Sequence, residues 1–150
     1  MTKNVRITIT GEQRELEENS VTIEAPGSYH FANGKHFIQY EEVREELGKK
    51  IGNTIKVSAS EVTYTKKDDY NTRMYFELNQ VTQMDYHTTY GVLALDIKTK
   101  TIDISESDDI IEVKLEYSLF ESGLPVSENM LHIIVKAEDE NAENTQNQAI

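Results

Sequence analysis

Arg73, Tyr75 and Glu77 stand at alternate positions, and their types and spacing come nearest to describing chemistry. On a β-strand, residues i, i+2 and i+4 share one face. A cation, a phenol and a carboxylate turned together into a pocket could hold a carboxylate ligand or move a proton. Met74, Phe76 and Leu78 fill the intervening positions and compete for the interior. The Arg73 face is therefore expected to point outward, where a cross-strand ion pair contributes about 0.2–1 kcal/mol.

The histidines are His30, His36, His87 and His132, and no two sit at His-x-His or i,i+4 spacing. A structural zinc usually takes closely spaced paired ligands, so no metal site is expected. The carboxylate pairs Glu41-Glu42, Glu45-Glu46, Asp68-Asp69 and Asp108-Asp109 are adjacent in sequence. On a strand, adjacent side chains diverge, so these pairs suit solvated loops rather than catalytic dyads. No calcium loop, Gly-x-Ser-x-Gly turn or Gly-rich phosphate loop occurs. There is no cysteine, hence no disulfide and no thiolate nucleophile. No catalytic residue and no cofactor is assigned on this reading.

Tyrosine is the enriched aromatic, with eight against four Phe and no Trp. Tyr29, Tyr40, Tyr64, Tyr86, Tyr90 and Tyr117 all fall on alternating segments. A tyrosine inside a barrel offers apolar area and one hydroxyl that needs a partner. Converging hydroxyls could orient a small ligand, or they could bond one another in a filled core. Under the first reading the lining residues are Tyr29, His36, Tyr40, Tyr90 and Tyr117.

The elements that must position these residues are strands. Period-two alternation recurs from Val5 to Lys136 and is clearest from Ile111 to Leu119, where odd positions are apolar and even ones polar. Many such segments without clear helices imply an all-β, antiparallel barrel or sandwich. Asn33-Gly34 fits a two-residue type I′ hairpin turn, because both residues tolerate positive φ. That turn would oppose Ala32 to Lys35, Phe31 to His36, His30 to Phe37 and Tyr29 to Ile38. One face then collects Gly27, Tyr29, Phe31, His36, Ile38 and Tyr40, which reads as the inner one. Pro26-Gly27 marks a bend or bulge rather than an end. Gly11–Asn19 reads as a loop or solvated edge, and 41–53 as a long loop with at most two helical turns. Lys98-Thr99-Lys100 reads as a turn. Residues 1–136 are expected to form one barrel domain, and the acidic stretch 137–150 a disordered tail.

The order and spacing of several short motifs carry a resemblance. They are Gly27-Ser28-Tyr29, Asn33-Gly34, Tyr40-Glu41-Glu42, Thr88-Thr89-Tyr90-Gly91 with the Leu93/Leu95/Ile97 strand, and Leu115-Glu116-Tyr117-Ser118-Leu119. In these the chain resembles the YwiB-like family, bacterial proteins of unknown function, from about Val5 to Val135. The resemblance implies a single calycin-type (lipocalin-like) closed barrel of about eight antiparallel strands. It implies no activity.

Charge bounds the partners. The formal net charge is −12, so a phosphate backbone is repelled and nucleic acid is not an expected partner. An anionic membrane is disfavoured for the same reason, and no membrane partner is expected. No signal-peptide core opens the sequence and no run approaches a membrane helix, so a soluble cytoplasmic protein is expected. Three functions stay open. The first is binding of a small hydrophobic or amphipathic ligand inside the barrel. The second is a structural or protein-interaction module with a filled core. The third is a small barrel enzyme using Arg73, Tyr75 and Glu77, or His36. The oligomeric state is left open.

Overall fold

The computed structural model describes residues 3–13, 20–69 and 71–138. Ten strands follow one another in chain order: β1 (Lys3–Gln13), β2 (Ser20–Ala32), β3 (Lys35–Arg44), β4 (Lys49–Val57), β5 (Glu61–Lys67), β6 (Thr72–Glu77), β7 (Val81–Thr88), β8 (Gly91–Glu106), β9 (Ile110–Glu121) and β10 (Leu124–Ala137). A 3-10 turn at Glu45–Leu47 joins β3 to β4. The strands form one sheet in the order β6-β5-β4-β3-β2-β1-β10-β9-β8-β7, with every pairing antiparallel. β6 and β7 meet across a seam, so the sheet curls into a nearly closed barrel of ten strands rather than about eight. At the seam the Thr82 hydroxyl donates to the Tyr75 carbonyl.

The alternation does what period two requires. On β1 the buried residues are Val5, Ile7 and Ile9, and on β9 the buried apolar residues are Ile111, Val113 and Leu115, with Ser118 also buried beyond them. The Asn33-Gly34 turn has φ of 54° and 76°, and it sets the β2–β3 register at Ala32↔Lys35, Phe31↔His36, His30↔Phe37 and Tyr29↔Ile38. Of the face expected inside, His36, Ile38 and Tyr40 are buried, whereas Phe31 is 54% exposed near the hairpin tip.

Strand replaces expected interruption at three places. β1 continues through Gly11 to Gln13 and β2 begins at Ser20, and residues 14–19 of the expected loop lie outside the described residues. The 41–53 segment is not a long loop. Its ladder continues through Glu42↔Ile51 to Arg44↔Lys49, and only Glu45–Gly48 turn. Lys98-Thr99-Lys100 is a β-bulge inside the continuous β8, with the register shifting between Thr99 and Thr101. A bulge inserts one extra residue and bends the strand without ending it. At the C-terminal end β10 runs to Ala137, and the Glu138 amide donates to the Asn4 carbonyl. The rest of the expected tail, 139–150, lies outside the described residues.

Pro26-Gly27 lies within a continuous β2 and causes no register shift, with Arg6↔Pro26 and Val5↔Gly27 in step. Gly27 is fixed by close approach: a Cβ there would sit 2.3 Å from the Gln39 carbonyl oxygen and 2.5 Å from Ile7 Cδ1. The backbone of β3 cannot yield as a flexible side chain would. Gly27→Ala is therefore expected to destabilise by about 3 kcal/mol, the upper end for overpacking. Urea unfolding checks this, and a change below about 0.5 kcal/mol would mean that β2 and β3 separate freely at Gly27.

Candidate functional site: an open cavity in the barrel

The two ends of the barrel differ. One end carries the β2–β3, β4–β5, β6–β7 and β8–β9 turns, and near it the interior is closely packed, with a small pocket of about 120 Å³ beside Tyr29 and the β8–β9 turn. Ile7, Ile38, Ile55, Val57, Val62, Phe76, Val113, Leu115 and Ile133 are each at most 1% exposed there. Toward the end that carries the β5–β6, β7–β8 and β9–β10 turns, a cavity of about 630 Å³ opens. Its walls are Met74 of β6, Met84 of β7, Leu93 and Leu95 of β8, Leu119 of β9 and Leu131 of β10. Tyr64 and Tyr117 enter it, and Gln13, Lys66, Asp68, Thr72, His87, Glu121 and Ser127 complete its polar lining.

The cross-strand register explains the polar side. Inward positions on the β3–β4–β5–β6 wall form rows. One row is Ile38, Ile55, Tyr64 and Met74, and the next is Tyr40, Asn53, Lys66 and Thr72. The Tyr40 and Tyr64 hydroxyls share a hydrogen bond. Burial pushes Tyr40 well above the ordinary phenol range, with the neighbouring Tyr64 and Glu42 adding to it. Burial also pushes Tyr64 up to about 12, against the lowering effect of its bond to Tyr40. Toward the mouth, Lys66 Nζ lies 3.1 Å from Glu42 Oε1, with both side chains largely sheltered. Asn53 is 2% exposed, and its Nδ2 donates to the Ile51 carbonyl at 3.2 Å. The result is an apolar chamber with one polar wall, a form that suits a ligand with a greasy body and a hydrogen-bonding group.

The five lining residues expected from the sequence fall in four places. Tyr117 enters the cavity, and burial raises its hydroxyl to about 12. Tyr40 backs the polar wall through Tyr64. Tyr29 and His36 are brought together, but at the closed end, where the Tyr29 hydroxyl is 2.8 Å from His36 Nδ1. His36 Nε2 lies 2.9 Å from Glu106 Oε1 on β8, so this chain of contacts ties β2 and β3 across the barrel floor. Burial, aided by Glu106, raises the Tyr29 hydroxyl. Tyr90 does not line the barrel: it is fully exposed at the β7–β8 turn, because a tip residue has no opposite wall to meet.

Arg73 is exposed on the outer face, and the Tyr75 hydroxyl on that face donates to Glu61. That hydrogen bond is the first cause raising Tyr75 to about 12, and it lowers Glu61. Arg73 and Tyr75 border an open groove along the β6–β7 seam, and Thr72, Met74 and Phe76 take the inward positions. The Arg73, Tyr75 and Glu77 set is therefore not an interior acid–base cluster. The remaining histidines are dispersed: His30 stacks on Phe37, His87 stands at the cavity and the outer groove, and His132 Nε2 pairs with Glu112 at 2.7 Å.

Sequence reasoning missed Glu42 and Lys66. Each continues the inward phase of its strand, Ile38-x-Tyr40-x-Glu42 and Val62-x-Tyr64-x-Lys66, and that phase was the signal to follow. Met84 had weaker support, since β7 alternates poorly.

Known proteins place this barrel. A family model described as "Domain of unknown function (DUF1934)" matches residues 7–133. The crystal structure of the YwiB protein from Bacillus subtilis superposes with a TM-score of 0.71 at 18% identity, covering 92% of each chain. At that identity the likeness shows the fold alone. No curated protein sequence matches the chain.

Proposed function

We propose, for a chain that belongs to the DUF1934 family, that the barrel is a non-catalytic binding protein for one small hydrophobic or amphipathic molecule. The observation that supports this reading is the open cavity of about 630 Å³, which falls within the usual range of ligand pockets. A side-chain-filled barrel would leave no such space. The apolar walls would take the body of the ligand. Lys66, Tyr64 and Thr72 would offer hydrogen bonds to its polar group.

Titration with N-phenyl-1-naphthylamine, a neutral apolar fluorophore, tests this. The native protein should enhance its emission saturably at one site. Leu131→Trp places an indole in the cavity and should weaken binding at least about tenfold, while thermal stability changes little because the space already exists. Equal binding by both proteins, or none by the native one, would sink the reading and turn attention to the filled-core interaction module.

A further inference from the structure

Among the described residues, six of the eleven exposed large apolar side chains share one region, while Val21, Phe31, Val43, Val81 and Ile110 lie elsewhere. Tyr86, Tyr90, Val92, Leu93, Leu124 and Val126 all belong to the β7–β8 and β9–β10 hairpins at the open end of the barrel. Tyr90 is fully exposed and Leu124 is 70% exposed. No Asp, Glu, Lys or Arg occurs from Tyr86 to Leu95 or from Ser122 to Ser127, although 28% of the chain is charged. The other side of the mouth differs: Glu45, Glu46, Lys49, Lys50, Lys67 and Asp69 are exposed there. Among the described residues the mouth is thus split into a mainly apolar half, with Asp85 and Glu121 bounding its uncharged tips, and a charged half that also exposes Val43.

The apolar half also stands proud. Asp96, paired with Phe120, is the first β8 residue in the β9 ladder, so Gly91–Leu95 pair with β7 alone. At about 3.3 Å per residue, that leaves a two-stranded finger roughly 16 Å long without a β9 partner, its base at Met84 and Leu95 buried in the core. An exposed apolar patch of this kind marks a contact surface. A tyrosine at its tip suits the boundary between water and lipid, since its ring is apolar and its hydroxyl polar.

We infer that the β7–β8 and β9–β10 tips seat this barrel on an uncharged lipid surface, from which its ligand passes directly into the cavity. This inference rests on the ligand-binding reading above. Continuity argues for lipid over a folded partner: Tyr86, Leu93 and Val126 are both exposed and part of the cavity lining. The apolar surface therefore runs unbroken from the lip to the interior, and an apolar molecule could travel along it without crossing water. A protein docked on the same lip would close the cavity. Charge selects the lipid: with a net charge of −12 the protein is repelled by anionic headgroups, whereas the uncharged tips meet no such penalty from zwitterionic ones.

Flotation of the full chain with phosphatidylcholine vesicles tests the contact. Val92→Asp and Leu124→Asp, each on an exposed tip outside the cavity lining, serve as independent variants. The native protein should float, and each variant should lower partitioning about tenfold by setting a charge at the apolar boundary. Transfer of N-phenyl-1-naphthylamine from preloaded vesicles should slow in parallel, while affinity for the same fluorophore supplied from water stays unchanged. A native protein that never floats overturns the inference, as does flotation indifferent to both substitutions. A native dimer that Leu124→Asp dissociates, without vesicle binding, assigns the surface to a second copy and overturns it too. Tip-dependent flotation without fluorophore uptake supports the surface contact while overturning the ligand reading.

Discussion

Replacing Phe76 with alanine is expected to cost about 3–5 kcal/mol of stability, the range for truncating a fully buried phenylalanine. Phe76 has no solvent exposure, and it sits opposite Val62 in the β5–β6 ladder. Its ring centroid is 4.9 Å from that of Tyr117 with the planes tilted by 60°, the edge-to-face type of pairing that aromatic quadrupoles favour. The loss is large because of where β6 lies. β6 has a ladder on its β5 side only, and across the seam the Thr82 hydroxyl of β7 bonds the Tyr75 carbonyl. Packing of its inward face therefore holds β6 where a second ladder holds other strands. For a chain of this length the melting temperature should fall by roughly 6–20 °C. Phe76→Leu, which keeps most of the volume, should lose less than about 1.5 kcal/mol. Because Tyr117 lines the cavity above Phe76, the alanine variant should also deepen the chamber and admit a longer apolar probe. A loss below about 1 kcal/mol would show that the seam, not the ring, holds β6 in place.

The same sequence that displayed its strands hid their extent, and the reason is local. The β2–β3 register followed from two residues, since Asn33-Gly34 admits positive φ at both positions and the period of two does the rest. Segment 41–53 misled because Val43 and Leu47 are four apart and acidic residues crowd between them. Tertiary pairing overrode that pattern: Glu41 to Arg44 continue a ladder with β4, and Lys49 finds Asp69 at 2.9 Å. The bulge at Lys98-Thr99-Lys100 looked like a turn because both phases of the alternation become polar there. The outward position of Arg73 was legible, since three apolar residues occupied the opposite phase.

The candidate site was harder to read than the fold. A barrel interior has a filled end and an open end, and both are lined by residues of the same phase. Periodicity says which face a side chain takes, not how far along the barrel axis it lies. Tyr29, Tyr40 and Tyr117 are therefore alike in the sequence, yet one is tied to His36 at the floor, one backs the polar wall and one enters the cavity. Lys66 and Glu42 broke an apolar phase with charge, which is the sequence mark of an interior that is not wholly packed.

Alkaline pH should unfold this barrel in a single cooperative step between about pH 10 and 12, and the buried tyrosines are the cause. Tyr64 and Tyr117 are each raised to about 12 in the folded protein, and Tyr40 is pushed up further. The unfolded reference is about 10. Below pH 10 both states hold neutral phenols, so this stabilisation is fully present. Above pH 10 the unfolded chain releases phenolic protons that the folded chain retains. The folded state then binds more protons, and stability falls as pH rises until the folded values are reached. A tenfold difference in acidity between the two states corresponds to about 1.4 kcal/mol, so Tyr64 and Tyr117 each withdraw roughly 2–3 kcal/mol across the window. Tyr40 and Tyr64 share a hydrogen bond and lose their protons as a coupled pair. The combined loss is comparable to the whole stability of a domain this size, about 5–15 kcal/mol. Tyrosinate absorbance and far-ultraviolet circular dichroism, followed together, should change in the same narrow step. Tyr117→Phe removes one of these ionisations and should move the midpoint to higher pH. If tyrosinate instead forms while the strands persist, water already reaches the hydroxyls through the open mouth, and the cavity wall is wetter than its burial implies.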